Sequence, residues 1–121
     1  MYSKTPKNTA FLALGSNTLK EICNNVLKCF VETVQLIFGK LLRMRMVTFE
    51  PGGVLGPLHD HKDRPGIVYI LQGTITDHRN GVATDYGPGL GWPEDRNTLH
   101  WLENRGTIPA VEISVDIVRQ V

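Results

Sequence analysis

Toward its end the chain alternates in twos. Residues 110–118 place Val111, Ile113, Val115 and Ile117 on one parity and Glu112, Ser114 and Asp116 on the other. A period of two marks a half-buried strand. Residues 41–49 form a second strand, with Arg43 and Arg45 on one face and Leu42, Met44 and Met46 on the other. Residues 67–72 are apolar on both parities and rich in β-branched and aromatic side chains, which predicts a strand covered on both faces. In that strand Tyr69 shares the parity of Ile67 and Leu71 and is assigned to the core. Residues 74–78 and 82–86 flank Asn80-Gly81, a hairpin turn signal because both residues tolerate positive φ.

Between these runs stand glycines and prolines. The chain has 12 glycines and 7 prolines, and all but Gly15 and Pro6 lie beyond residue 38. Short strands punctuated in this way predict an all-β sandwich or barrel. The first forty residues differ. Residues 18–30 carry Leu19, Ile22, Cys23, Val26, Leu27 and Phe30 at helical spacing, although Asn24-Asn25 weakens a helix there. Residues 31–38 read as a strand. The expected organisation is an extension over 1–40 packed on a barrel over 41–121.

Composition narrows the class. At 121 residues, 41% hydrophobic and 21% charged, the chain has material for one core without staples. A formal charge of +1 gives no electrostatic reason to expect nucleic acid or an anionic membrane surface. No apolar run approaches the roughly 18 residues of a membrane span. The run Phe11-Leu12-Ala13-Leu14 is shorter than a signal-peptide core, so the expected compartment is the cytoplasm. Cys23 and Cys29 read as thiols rather than a disulfide framework.

The candidate chemistry lies in the histidines. His59 and His61 stand two apart, so on a strand they share a face and can meet one metal ion. His100 lies in Thr98-Leu99-His100-Trp101-Leu102, a short strand that a barrel could bring to the same point. The alternative for an isolated His-x-His pair is that it binds nothing. His78, beside the Asn80-Gly81 turn, reads as a solvated hairpin residue.

The frame around these histidines resembles the cupin superfamily. Gly53, five residues, His59-x-His61, eleven residues and Gly73 are similar to the first cupin motif. Gly89, ten residues, His100, three residues and Asn104 are similar to the second, and 15 residues separate the two. The resemblance spans residues 41–118. It implies a cupin-type antiparallel β-barrel, or jelly roll, with a divalent metal in its mouth held by His59, His61 and His100. It also implies a homodimer.

Three positions depart from the pattern. The motif's glutamate falls at Gly66, and its proline and glycine before the last histidine fall at Asp95 and Asn97. Asn97 is a mild change if the turn needs positive φ. Gly66 is serious, because it removes a carboxylate from the implied ligand set. Three neutral imidazoles would leave the full charge on the ion, make it a stronger Lewis acid and favour anionic ligands. Glu94 is the best replacement carboxylate, as general base or occasional ligand, against its alternative as a loop carboxylate in water. Asp60 should point away from its histidine neighbours.

Arg43 and Arg45 would hold a substrate carboxylate if their face lines the mouth. The preferred assignment sends the methionines to the core and the arginines to solvent or a partner subunit. Arg64, before Pro65, is expected to steady a connection between strands, and Trp92 and Trp101 to pack. The expected function is a metal-binding cupin acting on a small oxygen-rich or anionic molecule, of dioxygenase or isomerase type. Iron, zinc, manganese and nickel all remain open. The alternative is a non-catalytic cupin that binds or senses a small molecule.

Overall fold

A computed structural model describes residues 28–120, and every regular element among them is a strand. The strands are β1 (Lys28–Gln35), β2 (Lys40–Phe49), β3 (Val54–Asp60), β4 (Gly66–Gln72), β5 (Ile75–Arg79), β6 (Val82–Tyr86), β7 (Gly91–Glu94), β8 (Leu99–Glu103) and β9 (Ala110–Arg119). They form a five-stranded sheet ordered β1-β2-β9-β4-β7 and a four-stranded sheet ordered β3-β8-β5-β6, with antiparallel pairing throughout. This is the all-β barrel that the alternation predicted. Lys28–Phe30, assigned above to a helix, belong to the edge strand β1, while the rest of that helix and Cys23 lie outside the described residues. Asn80 and Gly81 adopt φ of 52° and 76°, as the hairpin signal required.

The strands are where the alternation puts them, but the faces are not as expected. Arg43 and Arg45 are 3% and 4% exposed, whereas Met44 and Met46 are 41% and 37% exposed. Strand β9 follows the same rule, burying Glu112, Ser114 and Asp116. In β4, Ile67, Tyr69 and Leu71 face outward and only Val68 and Ile70 are buried, so one face of that strand is bare and Tyr69 is not core. The reason is charge compensation. Arg43 pairs with Asp116 across β2 and β9, and its guanidinium grips that carboxylate through Nε and Nη2 at 2.8 and 2.6 Å. A bidentate buried pair of this kind makes a polar interior tolerable.

The core occupies the other end of the same faces. Val47, Phe49, Val68, Ile70, Ile75, Trp92, Leu102 and Ala110 form one buried cluster. Asn104 closes this end: its Nδ2 donates to Phe49 O and Ile108 O, and its Oδ1 accepts from Gly106 N.

Candidate metal centre

His59 sits near the end of β3, directly opposite His100 on β8. The β3–β8 register slips between Leu55 and His59, so four steps along β3 answer two along β8. Such a bulge bends a strand and re-aims its side chains. His61 lies just past β3, where its N–H donates to Thr98 O. The three rings converge, and one ring nitrogen from each lies within 4.8 Å of the others.

Each ring is oriented by a partner on its far side. His59 Nδ1 donates to Pro57 O at 3.0 Å, His61 Nδ1 to Arg64 O at 3.2 Å, and His100 Nδ1 to the Asp77 carboxylate at 2.8 Å. A carbonyl or carboxylate acceptor selects the Nδ1–H tautomer and leaves Nε2 as a lone pair. His61 Nε2 and His100 Nε2 then face each other at 3.0 Å. Two lone pairs at that distance repel unless a cation lies between them. This donor set fits a divalent transition metal, with Asp77 as the carboxylate behind a histidine ligand.

The electrostatics agree. Burial lowers His59 to about 4, against the opposing effect of the Pro57 hydrogen bond. His61 is also lowered to about 4, first by burial and then by the positive charge of Arg64. Both rings are therefore neutral at pH 7, the state that binds a metal. Burial works to raise the Asp77 carboxyl, but His100 and Arg79 outweigh it and hold it below its ordinary value.

Glu94 is not a loop carboxylate. It ends β7, is 3% exposed, and accepts from Trp92 Nε1 at 3.0 Å. Its oxygens lie 3.5 Å from His61 Nδ1 and 3.4 Å from His100 Nε2. It is also the cross-strand neighbour of Gly66. A Cβ at Gly66 would stand 2.5 Å from Val115 O and 2.7 Å from Asp116 Cβ, so that position has no room for a side chain. A buried carboxylate thus stands one strand away from position 66.

Other positions sort as follows. Asp60 is exposed, and its Oδ1 accepts from Lys62 N. Asp95 builds the turn before β8 by accepting from Asn97 N and Thr98 Oγ1. Asn97 does not use positive φ, which among described non-glycine residues occurs only at Phe38 and Asn80. His78 is not simply solvated: it stacks on Trp101 with centroids 3.7 Å apart and contacts Glu103 at 2.6 Å. Asp77, Ser114, Glu112 and Asp116 were missed by the sequence reading. The available signal was the match between Arg43-x-Arg45 and Glu112-x-Ser114-x-Asp116, two polar parities able to neutralise one another.

A family model for the cupin domain matches residues 45–116, and the chain belongs to the cupin family. A comparison with curated proteins finds no match. Among solved structures, a putative sugar phosphate isomerase from Acidithiobacillus ferrooxidans is similar at 22% identity and TM-score 0.59, covering 63% of this chain and 49% of that one. A sugar phosphate isomerase of the cupin superfamily from Silicibacter pomeroyi gives 19% identity and TM-score 0.60, covering 68% and 60%. A predicted oxalate decarboxylase from Thermotoga maritima gives 22% identity and TM-score 0.56, covering 79% and 96%. The chain thus spans about half the length of the first of these proteins and 60% of the second. At such identities the likeness is one of fold.

Proposed function

We propose that this cupin holds one divalent transition metal through His59, His61 and His100 and acts on a small, oxygen-rich or anionic molecule. The observation that carries the reading is the approach of His61 Nε2 and His100 Nε2 to 3.0 Å, each ring being fixed from behind by its own acceptor. Such a metal would supply Lewis acidity toward ligand oxygens. Glu94 is the acid–base group, because its buried carboxylate lies beside two of the three histidines. Oxygenase and isomerase chemistry both suit this set, and the solved relatives include proteins named for a sugar phosphate and for oxalate.

The test is elemental analysis of protein purified without chelators, beside His59→Ala. About one Fe, Mn, Ni or Zn per chain, lost in the variant, is the expected result. No metal, and no uptake on reconstitution, would leave a small-molecule-binding barrel as the account. Turnover with Glu94→Gln then separates enzyme from sensor.

We also infer a homodimer. The outer face of the five-stranded sheet carries rows Met44–Val115–Ile67 and Met46–Ile113–Tyr69, with Leu42 and Leu71 exposed beside them. A contiguous apolar patch of this kind marks an association surface. Sedimentation of wild type against Met44→Glu tests it, and a monomeric wild type sinks it. Among the described residues no helix is long and apolar enough to cross a membrane. A cytoplasmic location is inferred from Cys23 and Cys29 reading as thiols rather than as a disulfide framework, and fractionation would check it.

A further inference from the structure

Asp116 is asked to neutralise three guanidinium groups. Arg43 takes both of its oxygens, Arg45 Nη2 reaches Oδ2 at 3.5 Å, and Arg64 Nη1 approaches Oδ2 at 3.9 Å. Arg45 also donates to Ser114 Oγ at 3.1 Å, but its Nε has no partner although the side chain is buried. Burial and the neighbouring Arg43 lower the Arg45 pKa to about 10, so it still carries its charge at pH 7. A buried, charged donor without a partner is costly and calls for one.

The cluster adjoins the histidines. Arg43, Asp116, Gly66 and Glu94 form one continuous row across β2, β9, β4 and β7. Arg64 links the two groups, since its carbonyl accepts from His61 while its side chain turns to Asp116. Arg64 is the outermost of the three, with a side chain 20% exposed against 4% and 5% for Arg43 and Arg45. Of the three guanidinium groups, that of Arg64 is therefore the one nearest solvent.

We propose that Arg45, with Arg43 and Arg64, forms an oxyanion subsite that takes a carboxylate group of a small organic acid beside the histidine centre. The inference rests on the reading of that centre as the functional site. The planar guanidinium fork suits a flat carboxylate, which can take two parallel N–H bonds in its own plane. Bound there, the carboxylate adds counter-charge to that of Asp116 and gives Arg45 Nε its acceptor.

The experiment uses the full chain after metal removal, so that a ligand cannot bind through the metal. Malonate and inorganic phosphate are titrated at matched ionic strength, with binding read by calorimetry. Saturable malonate binding is expected. Arg45→Met should weaken it by about 10–100-fold, the range that loss of a charge-assisted hydrogen bond carries. Arg45→Lys, which keeps the charge and loses the fork, should also weaken it and covers the case in which Arg45→Met does not fold. Metal stoichiometry on reconstitution should match wild type in both variants. No saturable malonate binding in wild type, binding undiminished in the variants, or tighter binding of phosphate than malonate would overturn the subsite. Failure of metal uptake with malonate binding intact would instead sink the metal reading alone.

Discussion

The barrel interior has two ends that differ in kind. At one, the cross-strand row Arg43–Asp116–Gly66–Glu94 faces the histidines, and every side chain in it is charged or absent. Six residues along β2, roughly 20 Å away at the usual strand rise, Phe49 pairs with Ala110 and both are fully buried among hydrocarbon. The same sheet therefore stabilises the fold at one end and concentrates chemistry at the other. Glu112 breaks the division. It lies opposite Val47 and beside Ile70, and its Oε1 has no partner.

The largest effect should come from the apolar end. Phe49→Ala should cost about 3–5 kcal/mol in chemical denaturation, from lost burial and the cavity left behind. The folded fraction should still take up metal normally, and impaired uptake would show that the two ends are not separable. Next comes Gly66→Ala, at the polar end. Its new Cβ must displace Val115 O and Asp116 Cβ, from 2.5 and 2.7 Å, which should cost about 1–3 kcal/mol. An unchanged denaturation midpoint would refute the close approach.

Asp77→Asn keeps the size of the group that orients His100 and removes its charge. A competition titration should show metal affinity falling by about 10–100-fold with the fold retained. Equal affinity would remove Asp77 from the centre.

The smallest effect is a dependence on pH that Glu112 opposes. His59 and His61 are lowered from 6.5 to about 4, so their contribution to stability is full above 6.5 and is lost as pH falls through 4. Glu112 is raised from 4.5 to about 8, first by burial and then by the charge of Glu94. Its contribution is full below 4.5 and is lost as pH rises through 8. Between 4.5 and 6.5 two imidazoles outweigh one carboxyl, and above 6.5 Glu112 acts alone. Metal-free protein should thus be most stable near pH 6.5, and Glu112→Gln should flatten the decline between 6.5 and 8. Denaturation midpoints across that range decide it, and identical slopes in the two proteins would exclude Glu112 as the cause.

Much of this architecture was legible. The Asn80-Gly81 hairpin, the strands near residues 41–49, 67–72 and 110–118, and the spacing of His59, His61 and His100 are local patterns, and local patterns survive folding. Strand β7 was less visible, because Gly91-Trp-Pro-Glu94 is short and contains a proline. That is why a loop carboxylate stands as the alternative for Glu94 in the sequence.

What the chain determined by itself was where strands run and which side chains share a face, because a period of two depends only on neighbours. It could not determine which face turns inward. Met44 and Arg45 alternate identically whether the sheet curls one way or the other, and hydrophobicity alone favours burying the methionine. Tertiary structure reversed that preference by bringing Arg43 to Asp116, 73 residues away, where a bidentate bond offsets the desolvation of both. The same closure set Glu94 beside Gly66 and brought three imidazoles to one point, contacts that exist only once distant strands lie side by side.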